Sequence, residues 1–559
     1  MPRFRFLAVA LAAIPLVPAV ADAQAAEAGS AQPGDPFPSA VFGTSIDVSG
    51  ARLLVGARGH SGVDISAGAA YVFDRQANGA WVQSQKLLGS DTNAGDVFGH
   101  EVALRGDIAI VGAPNKEPLG GFGQGAAYAF ERQANGTWLQ KTKLLASDGV
   151  AGDELGWSVA LSPSGQRAAV GAIRAFNSIT QQPGAGAVYL FQRQLDGTWT
   201  QSGKLLAPDG ASQDSFGFRV ALRDDVVIAS ASGDDAGHGS AYVFTIGGGF
   251  VQKLTPTGGS STDQFGWDLS IDGGRLAVGA DGYTGTAQFQ GAVYVFSEDL
   301  GGHWSQDQKL VASSAHPSDF FGLSVAIQGD RLVAGAPGYD SPDGFGNVGQ
   351  AFLFHRQPNG TWTEADHFVS PDSTGSAGFA NAVAISGDRI ACGGPGQNVE
   401  STFTFTQAGS AYVYRDAGPG QFTYGTGKPG CNGTQEMTAG AAEIGSTIFR
   451  FRNTNEPSDS TNGLLLIADV ADLAGSDPFG LGVKIHLNLF ASTTFVSLNA
   501  ASDPGGTANT FVAIPNVPGF VGATLCAQTL WLWQGGCFPL PTPSGLSSSR
   551  GVSFVILAP

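Results

Sequence analysis

The chain carries 8 His, 47 acidic residues and 4 Cys, the groups from which a metal centre or an acid–base pair is built. Such sites need those groups at set spacings or brought together by the fold. The histidines (His60, His100, His238, His303, His316, His355, His367, His486) are scattered, and no His-Glu-x-x-His pair occurs. No Gly-x-Ser-x-Gly elbow or phosphate-cradling loop stands in a strand-to-helix context. Asp224-Asp225 and Asp234-Asp235 are adjacent carboxylates, but such pairs in turns usually serve solvation. Asp340-Ser341-Pro342-Asp343-Gly344 holds two carboxylates where a calcium loop needs about six or more oxygens. The expectation is a protein that is not an enzyme and holds no cofactor, with calcium disfavoured.

A site without a local motif must be assembled by repeated elements, and this chain repeats. Phe42-Gly43, Phe98-Gly99, Leu155-Gly156, Phe216-Gly217, Phe265-Gly266, Phe321-Gly322 and Phe379-Ala380 recur at intervals of 56, 57, 61, 49, 56 and 58 residues. After each opening comes a short apolar run, a Gly-Asp-type turn and a second run ending in small residues, as in Leu332-Val333-Ala334-Gly335-Ala336. A third run reads Ala69-Ala70-Tyr71-Val72-Phe73 or Ala292-Val293-Tyr294-Val295-Phe296. The fourth carries Trp and then Lys-Leu, as in Trp138 with Lys143-Leu144. Asn135-Gly136, Asp196-Gly197 and Asn359-Gly360 between the last two runs supply the positive φ of a two-residue hairpin. Each repeat is therefore a four-stranded antiparallel meander, marginal alone and stable only against neighbours. Seven of them predict an all-β chain with a seven-bladed β-propeller of four-stranded antiparallel blades over residues 42–423.

These Phe-Gly units resemble the FG-GAP repeat of integrin α-chains and of many secreted bacterial proteins. The resemblance implies a seven-bladed β-propeller used in adhesion or ligand binding. It does not bring calcium sites, because the link between the first two strands has shrunk to turns such as Gln328-Gly329-Asp330, too short for a cation's ligands. Arg105-Gly106-Asp107 spells an adhesion tripeptide but occupies that same turn slot. Strand alternation puts the tight turns on one face and the longer connections on the other. Variable loops on a rigid scaffold are where binding concentrates. The expected ligand-binding residues on that face are Tyr283, Phe289, Tyr339, Asp340, Asp343 and Phe345.

Composition bounds the rest. The formal net charge of −18 disfavours nucleic acid as a partner. Arg3 and Arg5, the apolar run from Phe6 to Val20 and Ala21-Asp22-Ala23 predict a signal peptide over 1–23, leaving a linker over 24–41. No later stretch is apolar enough to span a membrane, so export to the cell surface or beyond is expected. After Phe422 the rhythm stops, and a Gly/Pro-rich hinge leads into residues 424–559, read as a small β-sandwich-like domain. Tyr424-Gly425-Thr426-Gly427 and Ile514-Pro515-Asn516-Val517-Pro518-Gly519 resemble a C-terminal module of secreted bacterial repeat proteins. Cys526 and Cys537 flank a predicted hairpin and are the disulfide candidates. The expected function is non-catalytic binding or adhesion to an extracellular glycan or protein. The alternatives are a glycan hydrolase or lyase acting at the propeller mouth, and a structural envelope or matrix component.

Overall fold

The computed structural model describes residues 27–416, apart from 38, 62–65, 78, 117–122, 260–261, 342–345, 371–375, 397–398, 401–404 and 407, and beyond them the backbone of paired strands between 421 and 555. The signal peptide expected over 1–23 lies outside the described residues. The chain divides into two units, residues 24–419 and residues 420–559 with the first 23.

The first unit is a β-propeller of seven four-stranded antiparallel sheets. The first blade pairs Phe42–Ser49, Arg52–Ala57, Ala69–Arg75 and Trp81–Leu87 in sequence order, from innermost to outermost strand. Five more blades follow the same order, ending with Trp362–Phe368. The seventh differs. Ala382–Ser386, Arg389–Gly394 and Ser410–Arg415 form three strands, and the outer strand is Glu27–Ala31. The stretch 24–41, expected as a plain linker, thus supplies a blade strand. The compact unit runs from 24 to 419 rather than from 42 to 423.

The Phe-Gly opening stitches blades together. Its first residue donates a backbone hydrogen bond to the preceding blade in all seven cases: Phe42 to Ala408, Phe98 to Ala67, Leu155 to Gln124, Phe216 to Ala185, Phe265 to His238, Phe321 to Gln290 and Phe379 to Val348, at 2.8–3.0 Å. The bond from Phe42 closes the ring. The Phe rings are fully buried and meet the third-strand aromatics edge-on, as Phe98 does with Tyr128 at 5.4 Å. The following Gly has positive φ, and a Cβ on Gly99 would strike the Ala69 carbonyl of the preceding blade. In the seventh blade Ala380 takes this left-handed conformation with φ 64°.

Side chains tie the outer edges. The Gln85 amide donates to the Trp138 carbonyl (2.9 Å) and accepts from its N–H (2.7 Å), and Gln252–Trp304 and Gln308–Trp362 repeat the clamp. Such pairing covers strand edges that would otherwise invite association. The Lys of each Lys-Leu pair has a local use too. In the first four blades a third-strand tyrosine hydroxyl and this Lys share one Asp, as Tyr128 and Lys143 share Asp91 at 2.7 Å each.

In the second unit, Gln421–Tyr424, Gly551–Val555, Thr524–Leu532, Gly463–Ala468 and Phe495–Ala500 pair side by side. Glu436–Ala439, Phe449–Thr454 and Ala508–Val512 form a three-stranded sheet. Cys526 lies in one of these strands, and Cys537 lies outside the described residues.

Candidate functional site

The two sets of longer connections do share a face. Backbone hydrogen bonds join the second-to-third loop of one blade to the connection entering the next: Gln213 to Gly184, Gln264 to Gly237 and Ser318 to Gln288. On this face four of the six expected ligand residues are described, and each meets a neighbouring residue of the propeller. Tyr283 packs against the core of the fourth and fifth blades, with Lys309 Nζ 2.8 Å from its hydroxyl and 4.3 Å from its ring centre. Phe289 stacks on Phe320 at 6.4 Å. Tyr339 is buried beside His316, with ring centres 6.1 Å apart. The Asp340 Oδ1 accepts the Asn347 N–H at 2.7 Å. Asp343 and Phe345 lie outside the described residues. None of the four lines the cavity on the ring axis.

A cavity that sequence reading missed opens on the ring axis. About 270 Å³ in volume, it takes its lining from every blade. The residue after each Phe-Gly points there: Thr44, His100, Trp157, Phe218, Trp267, Leu323 and Asn381. The four aromatic rings stand on consecutive blades. Their centroids are 4.6 Å (His100–Trp157), 5.9 Å (Trp157–Phe218) and 4.9 Å (Phe218–Trp267) apart, with planes tilted by 45°, 43° and 50°. These tilts approach the rotation of about 51° between neighbours in a seven-fold ring, so the rings form a fan along one arc of the cavity. The legible clue was register. Aligned on Phe-Gly, the next position varies from Thr44 and Asn381 to Trp157 and Trp267, whereas two residues further on every blade keeps an aliphatic, as in Ile46, Val102 and Leu269.

Charges lie one position further along the same strands. Arg219 meets Asp268 (Nε–Oδ1 3.3 Å) and approaches Glu101 (Nη2–Oε2 3.9 Å), and its guanidinium sits 5.2 Å from the Phe218 ring centre. Arg58, exposed at the start of the first blade's long loop, completes the lining. Burial pushes Glu101 up to about 7 against the pull of Arg219, and raises Asp268 as well. Burial and then the charges of Arg58 and Arg219 push His100 down to about 3. His100 is therefore neutral. Its Nδ1 lies 3.0 Å from the Trp157 carbonyl, an acceptor, so Nδ1 carries the proton. The arrangement offers an aromatic arc, two guanidiniums and a carboxyl group able to hold its proton near neutrality.

The other motifs resolve as structure. Arg105-Gly106-Asp107 is a turn with Gly106 at φ 57°. Arg105 holds Asp47 at 2.9 Å, and Arg52 holds Asp107 at 2.6 Å. Cys392 is fully buried, and burial lifts its thiol above the usual range. Among the described residues no cluster of three or more His, Cys, Asp or Glu is arranged to hold a metal. No helix among them is long and apolar enough to cross a membrane.

Comparison with known proteins gives one family. The FG-GAP repeat model matches residues 27–73, 81–130, 138–191, 199–244, 249–296, 304–354 and 362–414. Each matched segment starts on an outer strand and runs through the first three strands of the next blade. Integrin alpha-7 of Rattus norvegicus is 28% identical over 141 residues, 24% of this chain and only 12% of that protein. Among solved structures, the GH32 beta-fructofuranosidase of Bombyx mori aligns over 82% of this chain and 91% of its own, with 11% identity and a TM-score of 0.29. An exo-inulinase from Aspergillus awamori aligns over 81% and 94%, with 9% identity and a TM-score of 0.26. Likeness that low carries no inference about activity.

Proposed function

The chain belongs to the FG-GAP repeat family, and from that premise we propose that it is an exported, non-catalytic binding protein. The loop-bearing face of its propeller holds a glycan or protein at the cell surface or outside the cell. The observation that carries this reading is the axial cavity. All seven blades contribute to it, its wall is aromatic, and it opens among the long loops. A pocket lined by aromatic side chains with a few convergent polar groups is a binding site in general form. Its acids favour binding over catalysis, because Asp268 is engaged by Arg219 and Glu101 lies beside the same guanidinium. The full chain, applied to a glycan array and a panel of extracellular proteins, is expected to give a ligand whose retention drops on Trp267→Ala. No retention on either surface overturns the reading.

One observation favours the second reading, a glycan-active enzyme. Glu101, titrating at about 7 near Asp268, has the proton a general acid needs. Release of reducing sugar from any arrayed glycan, lost in Glu101→Gln, selects the enzyme. Export rests on the signal peptide over 1–23, with cleavage before Gln24, and N-terminal sequencing of the secreted protein tests it. A Cys526–Cys537 disulfide belongs to the same reading and is tested by the mass gained on alkylation with and without reductant.

A further inference from the structure

The axial cavity has a polarity that narrows its ligand. At about 270 Å³ it falls just short of the ~300–1,000 Å³ clefts that hold drug-sized ligands, so it has room for one ring-sized group. Neighbouring rings 4.6–5.9 Å apart around a seven-fold axis lie on a circle about 6 Å in radius, which leaves a lumen one saturated ring wide. The apolar C–H face of a pyranose can lie against this aromatic arc, whose rings bury area with little loss of rotamer freedom. The facing arc is less apolar. Thr44 and Asn381 bring a hydroxyl and an amide, with Leu323 between the blades that carry them and the aromatic wall.

Charge decides the rest. Arg219 is engaged, stacked near Phe218 with Asp268 and Glu101 beside it. Arg58 makes no ion pair among the described residues and lines the cavity, where burial and then the charge of Arg219 disfavour its own charge and Glu101 only partly offsets them. A cationic group entering here meets that repulsion. A carboxylate entering beside Arg58 relieves it and gains a forked, charge-assisted contact.

We infer that the axial cavity binds an acidic sugar residue, a hexuronate or comparable carboxylated pyranose, with its ring on the wall of Trp157, Phe218 and Trp267 and its carboxylate on Arg58. This rests on the binding reading above and deepens it.

The test uses the full chain and two forms of one oligosaccharide, terminated by glucuronic acid or by glucose, titrated by calorimetry. Binding of the acidic form is expected to be about tenfold tighter and to weaken with added salt. Arg58→Gln, at an exposed position outside the blade cores, is expected to bring the two forms within about twofold of each other. Trp267→Ala is expected to weaken both forms alike. Equal affinity for the two forms in the unaltered protein, or a preference that survives Arg58→Gln, overturns the inference. If a protein or a neutral glycan is retained on the arrays and Arg58→Gln does not change it, the acidic-sugar assignment falls while the binding reading stands.

Discussion

Asp281 starts the long loop of the fifth blade with its side chain buried, and its Oδ1 has no hydrogen-bond partner among the described residues. Other blades fill this slot with Arg58, Pro114, Ile173, Ser232, Pro337 and Pro395, none of them acidic. Burial pushes its carboxyl up to about 7, whereas an unfolded aspartate titrates near ~4. The folded chain therefore binds the extra proton between those values, and stability falls as pH rises from about 4 to about 7. Asp281→Asn removes a charge that is costly only when ionised. The variant is expected to be more stable by roughly 1–3 kcal/mol at pH 8, with the gain vanishing toward pH 4. Calorimetric melting at both pH values checks this, and an equal gain at both would assign the effect to packing. Phe321 is a second single-residue case. It is fully buried, 5.4 Å from the Phe352 ring, in a cluster shared by the fifth and sixth blades. Phe321→Ala is expected to cost ~3–5 kcal/mol in denaturant unfolding. That wedge was legible, because a large apolar residue beside Gly at every repeat opening has few uses other than packing. Asp281 was not legible, because its burial depends on a neighbouring blade.

At the scale of the element, two glycines that look alike in sequence do different things. Gly106 lies in the tight turn of the second blade at φ 57°, and a Cβ added there would have no atom within 4 Å, so only backbone strain resists a side chain. Gly112, on the adjoining strand, has an ordinary φ, yet a Cβ would collide with the Gly156 carbonyl of the third blade. Gly106→Ala is expected to cost about 1 kcal/mol, and Gly112→Ala about 3 kcal/mol or more because rigid backbone must move. Thermal melting of the two variants side by side measures the difference, and equal losses would rule out close blade approach as the cause. The hairpins themselves were readable from Asn-Gly, Asp-Gly and Gly-Asp, since turn chemistry is local. The uses of Tyr283, Tyr339 and Asp340 were not, since each depends on partners such as Lys309, His316 and Asn347 that only the folded loop brings close.

Over the whole molecule, stability turns on how the ring shuts. The last blade has three strands from its own repeat and receives the fourth, Glu27–Ala31, from the start of the propeller, pairing with Ser410–Arg415 from Ala31↔Ala411 to Glu27↔Tyr414. The offset between the family repeat and the blade produces this overlap, because each matched segment begins one strand early. A chain whose residues through Ala31 have been removed leaves the Ser410–Arg415 edge unpaired. Its first thermal transition is expected to fall by on the order of 10 °C, with increased self-association through the bare edge. An unchanged transition would mean that blade contacts alone hold the ring.

By itself, the sequence determined the seven repeats, their four strands, the tight turns and the face on which the long loops lie. Those features follow from neighbouring residues: alternation, turn propensity and a Phe-Gly pair that recurs with nearly constant spacing. Only the tertiary structure decided which strand closes the ring and which residues meet on the axis. His100, Trp157, Phe218 and Trp267 lie about fifty to sixty residues apart in the chain, yet their rings are 4.6–5.9 Å from one another. Contact at that separation is set by the rotation from blade to blade, which no stretch of sequence expresses alone. The run from Phe321-Gly322 through Gln328-Gly329-Asp330 to Ala336 states how a blade is built, while the single position after each Phe-Gly, summed over seven blades, shapes the cavity in which a ligand would sit.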